Sequence, residues 1–148
     1  MRYHLLPILA LLPLILTACG EPPDTHPGQP LTHRRAAFEG ILRTFEPMGI
    51  QLRKNQYKPD QFIAQARELA RVKDAPWQYF GPDTNYPPTR ANDKVWNEPE
   101  KFDTARKTFL QATDRLLQAA ESRDEKRVTA AYEELQESCR SCHKAFRN

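Results

Sequence analysis

Apolar positions recur along this chain in steps of three and four, the spacing of one face of a helix, and no segment alternates convincingly with a period of two. From Leu31 the stripe runs through positions 31, 34, 38, 41, 45, 48 and 52, taking in Arg34. Pro47 lies inside that stripe and removes one backbone donor, so it should kink the last turns or divide the helix. A second helix opens at Pro59-Asp60 and carries Phe62, Ala66, Leu69 and Ala70 toward Trp77 and Phe80. The stretch from Gly81 to Arg90 holds the proline pair 87 and 88, which forbids helix, and reads as a crossover loop. Asn97 with Glu100, and Pro99 between them, marks a third start, followed by Phe102, Ala105, Phe109, Ala112, Leu116 and Ala119. Ser122 and Glu125 mark a fourth, whose stripe runs through Val128, Tyr132, Leu135, Cys139, Cys142 and Phe146. Short links join the first pair and the last pair, a longer one joins the two pairs, and there is no internal repeat. The prediction is an all-α, antiparallel four-helix bundle over residues 31–148.

The N-terminus changes the picture. Residues 1–18 pair Arg2 and His4 with an apolar run, Leu5 to Leu16, that is too short to cross a bilayer and reads as an export signal. Leu16-Thr17-Ala18-Cys19 resembles the lipobox of bacterial lipoproteins, in which the cysteine is acylated and becomes the first residue after cleavage. An ordinary secretory signal is the competing reading, and both export the chain. On the lipoprotein reading Cys19 anchors the protein to the periplasmic side of a bacterial membrane, the absence of Asp just after it favouring the outer one. Residues 19–30, rich in proline, are expected to form a tether.

With 148 residues there is room for one ordinary domain and not for a multidomain enzyme. Lys and Arg number 22 against 19 Asp and Glu, a net +3 that falls to +2 once Arg2 leaves, too even a balance to argue for nucleic acid. Five glycines against 13 prolines argue against a β-rich fold and a glycine-rich phosphate loop.

The chemistry lies near the C-terminus. Cys139-Arg140-Ser141-Cys142-His143 is the c-type haem attachment pattern: two thiols one helical turn apart can each form a thioether with a haem vinyl group, and the next residue can reach the iron. A thioredoxin-like dithiol would need a βαβ context. Structural zinc would need further ligands, yet the other histidines beyond the signal are His26, in the tether, and His33. A disulfide between the two thiols is geometrically poor inside a helix. Export fits, since c-type cytochromes mature outside the cytoplasmic membrane, and it leaves no spare thiol: Cys19 takes lipid, Cys139 and Cys142 take haem.

An attachment motif five residues from the C-terminus, on the last helix of a bundle, resembles the cytochromes c′. Arg34-x-x-x-Phe38 is similar to the first-helix motif of that family, Pro76 to Thr84 to its segment entering the long loop, Thr89-Arg90-Ala91 through Val95-Trp96 to its entry into the third helix, and Cys139 to Arg147 to its closing pattern. The resemblance implies one covalent haem c held by Cys139 and Cys142, with His143 as the fifth iron ligand. It implies Phe38 over the distal face, Arg34 paired with a haem propionate, Arg35 at a neighbouring propionate-side position and Arg147 beside the proximal pocket. It also implies binding of the diatomics NO and CO rather than catalysis, with electron transfer to a redox partner protein within reach of the same iron. Homodimers through the first two helices are frequent in the family.

Elementary chemistry points the same way. An aromatic on the core stripe can press on a haem face and exclude polar ligands, and Arg34 on that stripe would be costly to bury unless paired. Because Phe38 has no atom that ligates iron, the distal placement the resemblance implies carries with it a vacant but guarded sixth position and high-spin iron. The rival is a six-coordinate electron carrier with a Met ligand. Met48 lies about 15 Å along the helix from Phe38, at ~1.5 Å per residue, so both cannot cap one iron, and Met48 is assigned to the core. His33 is rotated off the stripe and expected to be exposed. A structural lipoprotein without cofactor would leave the pentad unexplained.

Overall fold

Residues 22–148 are described in a computed structural model. The first helix, α1 (Pro30–Arg53), starts with a proline whose missing N–H costs nothing at that position. Its cap comes from outside: Gln29, in the left-handed region at φ 44°, makes no side-chain bond, and the Asp24 carboxylate accepts from the Leu31 N–H at 2.8 Å and the Thr32 N–H at 3.4 Å. Asp24 is 2% exposed and also receives the Tyr86 hydroxyl at 2.9 Å, while the His26 ring stacks on Tyr86 at 3.5 Å. Residues 24–30 are therefore part of the folded unit, and the expectation of a tether reaching to residue 30 is corrected. Burial alone would raise the Asp24 pKa, but bonds from His26 N–H, Tyr86, Leu31 N–H and Thr32 N–H outweigh it and hold the carboxyl below its ordinary value. Residues 1–18 and Cys19 lie outside the described residues.

Pro47 does not divide α1, contrary to one of the two outcomes expected of it. Its missing N–H concerns a carbonyl on the exposed Arg43, where water can compensate, while Phe45 and Met48 on either side are buried in the core. Two residues on, Gly49 leaves room for the Tyr132 hydroxyl, which lies closer than any side-chain carbon there would permit.

Next comes α2 (Pro59–Val72), which buries Phe62, Ala66 and Leu69 as the pattern predicts. Residues 73–98 follow, with 3-10 turns at Trp77–Tyr79 and Pro82–Thr84 and a single helical turn, α3 (Lys94–Asn97). Then come α4 (Pro99–Glu121) and α5 (Glu125–Phe146). Both of these helices are capped differently from expectation. Asn97 closes α3, and Glu98 stands at the start of α4 without a side-chain bond to the helix backbone, its carboxylate pairing instead with Lys101 at 2.6 Å. Asp124, not Ser122, caps α5, accepting from Lys126 and Arg127 N–H at 2.9 and 3.2 Å. The Ser122 hydroxyl instead donates to Ala119 O at 2.6 Å, closing α4.

Among the described residues no strand forms, only an isolated antiparallel bridge between Ala91 and Arg147. The helices pack α1 on α2, α2 on α4 and α4 on α5, each antiparallel to the next. α1 and α5 share no seam of that size, but Phe45 and Tyr132 bridge them in a stack 4.4 Å apart and 8° from parallel. α2 has 14 residues against 24, 23 and 22 in α1, α4 and α5, so it walls only part of the bundle. Residues 73–98 fill the vacant corner, at the end where α1 begins and α5 finishes.

Gly49→Ala is expected to push the Tyr132 hydroxyl off its site and loosen the Phe45–Tyr132 bridge, lowering stability by about 2 kcal/mol. Thermal unfolding followed by circular dichroism checks this; an unchanged midpoint would mean Tyr132 relaxes freely.

A candidate haem-attachment site

On α5, Val128, Tyr132 and Leu135 are buried, and Cys139 and Cys142 continue that face half-buried, one turn apart. Both thiols are free. Burial pushes Cys139 up, and burial followed by the neighbouring Cys139 pushes Cys142 up to about 11. Thiols held that far from the thiolate are poor redox nucleophiles, which weighs against a thioredoxin-like role. His143 follows, exposed at the rim. Partial burial and then the Arg147 charge lower its pKa, favouring the neutral imidazole that can donate a lone pair.

The end of α5 is tied down by residues 90–92. Asn92 N–H donates to Phe146 O at 3.0 Å, Asn92 Nδ2 to Ala145 O at 3.1 Å, and Asn148 N–H to Arg90 O at 2.9 Å. The two Asn92 bonds satisfy carbonyls that a helix end leaves orphaned, and all three fix the turn that carries His143. Sequence reasoning missed Asn92, because an Asn in an irregular stretch signals only a turn.

Facing α5 across the groove is the upper half of α1. The Phe45–Tyr132 stack sets the register, and in an antiparallel pair it places Phe38 near the level of Cys139 and Arg34 near His143. Phe38 is half-buried and meets Trp77 edge-on at 5.7 Å and Phe80 at 6.3 Å. The apolar surface continues through Phe80–Phe102 at 5.0 Å and Phe102–Phe146 at 5.3 Å. Met48 is 0% exposed and lies beyond the Phe45–Tyr132 stack from both cysteines.

Arg34 is 7% exposed. Its Nε and Nη2 donate to Tyr79 O at 3.1 and 2.6 Å, Nη2 also to Thr84 Oγ1 at 2.7 Å, and Nη1 to Thr89 Oγ1 at 3.2 Å, with the guanidinium 4.1 Å above the Phe80 ring. Burial, partly offset by Tyr86 and Asp24, pushes its pKa down to about 10, so it stays charged at neutral pH. The buried position was expected; the partners, oxygens of the 73–98 segment, had no sequence signal. Arg35 is half-buried beside it. Arg147 is exposed, pairs its backbone with Ala91 and donates its N–H to His143 O at 3.0 Å. His33 is exposed, as expected, and stacks on Tyr79 at 5.5 Å.

Among the described residues no group of three or more His, Cys, Asp or Glu could hold a bare metal ion. Two surface clefts, one beside Pro47 and Gln56 and one between Arg115 and Arg127, adjoin neither cysteine nor histidine. What remains is a groove between two helices with free thiols one turn apart on one wall, a neutral imidazole at its rim and aromatic rings on the other wall. That donor set fits a covalently attached c-type haem in a four-helix bundle.

Comparison with known proteins gives the family. The profile described as Cytochrome C' matches residues 29–147. Cytochrome c' of Rhodospirillum rubrum is 26% identical over 141 residues, 95% of each chain, and that of Alcaligenes xylosoxydans xylosoxydans is 29% identical over 91 residues, 62% of this chain and 70% of its own. The crystal structure of cytochrome c' from Rubrivivax gelatinosus superposes with a TM-score of 0.78 at 25% identity, covering 84% of this chain and 98% of that one. A nitric oxide complex of a mutant cytochrome c prime from Alcaligenes xylosoxidans gives 0.76 at 25% identity, covering 80% and 93%. The chain belongs to the cytochrome c′ family and carries one covalent haem c.

Arg34→Lys keeps the charge but cannot reproduce the fork to Tyr79, Thr84 and Thr89. Expected is a loss of about 3 kcal/mol in unfolding free energy together with faster amide exchange confined to residues 79–92. Exchange unchanged in that segment would show that the loop does not depend on the fork.

Proposed function

We propose that this protein is a lipid-anchored, periplasm-facing monohaem cytochrome c′ that binds NO and CO reversibly at a five-coordinate, high-spin iron, with electron transfer as a secondary capacity and no catalytic turnover. The observation that carries the reading is the position of Phe38, an apolar ring braced by Trp77 and Phe80 on the wall opposite Cys139 and Cys142. Bound haem would supply an iron that can take a small ligand and a one-electron couple.

The chain's own residues divide the remaining work. Cys139 and Cys142 would hold the macrocycle through thioethers, and His143, whose pKa burial and Arg147 lower toward the neutral imidazole, would ligate the iron. Phe38 guards the other face and offers no hydrogen bond, so a ligand that develops negative charge, as bound O2 does, gains no stabilisation there, whereas NO and CO need little. Arg34 and Arg35 stand at the propionate side. Arg34 Nη1 commits one of its hydrogens to Thr89 Oγ1, whose oxygen also accepts Ala91 N–H, and the remaining hydrogens of both groups suit a carboxylate. Leu42 and Ile50 on α1, 47% and 44% exposed, are apolar residues that a homodimer through the first two helices would cover.

Optical and electron paramagnetic resonance spectra of the haem-loaded protein test this. High-spin signals that convert on adding NO or CO are expected, and Phe38→Ala should speed CO association at least tenfold. Low-spin spectra indifferent to gas would instead require a sixth protein ligand such as Met48, despite its burial in the core, and would make electron transfer the main role.

Cys19→Ser is expected to move the protein from the membrane to the soluble fraction of exporting cells. Retention on the membrane would remove Cys19 as the anchor.

A further inference from the structure

The segment that leads into α1 is built into the end of the bundle where the haem-attachment helix finishes. Asp24, 2% exposed, takes the Leu31 and Thr32 N–H groups and the Tyr86 hydroxyl, and His26 stacks on Tyr86. Beside Tyr86, Asn85 Nδ2 donates to Asp93 at 3.0 Å, and Arg90 to Asn92, between them in sequence, hold Arg147 and the carbonyls of Ala145 and Phe146. The chain thus enters the fold at the end that carries His143. From Cys19 to Asp24 is five residues, which reach at most about 17 Å fully extended. A link that short, ending in a docked residue, keeps the Asp24 end of the bundle within about 17 Å of the anchored residue, less than the length of the bundle.

Given the reading of Cys19 as the lipid anchor, we propose that the protein sits on its leaflet in a fixed orientation, with the end formed by Asp24, Tyr86 and the C-terminus of α5 turned to the lipid surface and the Ser122–Asp124 turn directed away. With 24 and 22 residues, α1 and α5 span roughly 35 Å at ~1.5 Å per residue, so the two ends of the bundle differ in height by about that much. Charge does not choose this orientation: exposed Lys94, Lys144 and Arg147 at the docking end are accompanied by exposed Asp83 and Asp93. The short link chooses it. Its consequence is that the groove between α1 and α5 lies beside the phase in which apolar diatomic gases concentrate.

The test uses full-length, acylated, haem-loaded protein in vesicles of phosphatidylethanolamine and phosphatidylglycerol carrying a few headgroup gadolinium chelates. With three cysteines taken by lipid and haem, an added cysteine is a unique site for a nitroxide, placed by Lys94→Cys at the docking end or by Lys126→Cys at the far end, both at exposed positions. Gadolinium is expected to shorten the relaxation of the first label several-fold more than that of the second. The contrast should vanish when a long Gly-Ser insert separates Glu21 from Pro22, a change that leaves every contact of the bundle intact, and also in Asp24→Ala combined with Tyr86→Phe. Equal effects on both labels, or a contrast that survives the insert, would overturn the fixed orientation while leaving the lipid anchor standing. Protein that does not sediment with the vesicles would overturn the anchor and this inference with it.

Discussion

A single buried charge organises the end of this molecule that does its chemistry. Arg34 sits on the core stripe of α1, where an unpaired guanidinium would cost several kcal/mol in lost solvation. The fold answers by wrapping oxygens around it: the carbonyl of Tyr79, the hydroxyls of Thr84 and Thr89, and the face of Phe80. Each of those atoms belongs to residues 73–98, which have little regular structure of their own. One side chain on a helix therefore sets the path of a 26-residue segment that no ladder of backbone bonds could hold.

That segment matters because α2 is short. At 14 residues it reaches about 21 Å and leaves one corner of the bundle without a helix over its upper half. A fourth full-length helix would bring another regular wall against α1 and α4. The irregular segment instead supplies Trp77 and Phe80 behind Phe38, and Asn92 under the end of α5. It thus fixes both walls of the groove from one side, the aromatic wall by packing and the cysteine wall by capping its helix.

The parts visible in the sequence are those with a local period. The stripe from Leu31 to Leu52 and that from Val128 to Phe146 are repeated every turn, so burial of Ile41, Phe45, Met48 and Leu135 could be read directly, as could the pentad at Cys139. Caps are less legible: Asn97, Ser122 and Asp124 all have cap chemistry, and which one serves depends on where the neighbouring helix ends. Least visible were polar contacts across large separations, such as Asp24 with Tyr86, 62 residues apart, or Arg34 with Thr89, 55 apart. They have no period, and each partner alone looks like an ordinary turn or surface residue.

Those long-range polar contacts also divide the labour between stability and selectivity. The lower bundle, with Met48, Phe62, Leu116 and Val128 fully buried, can supply cohesion without any polar device. The upper end sets thiols on one helix against aromatic rings on the other, with little direct contact between α1 and α5, so its irregular surroundings need other props. Arg34, Asp24 and Asn92 are the props: each is a hydrogen-bonding group placed where a helix end or a loop would otherwise be loose. None of the three presents a donor on the ring of Phe38 itself, so the wall they support stays apolar. An apolar wall held stiff by polar groups behind it can discriminate among small ligands only by size and developing charge, and the proposed preference for NO and CO over O2 rests on that property.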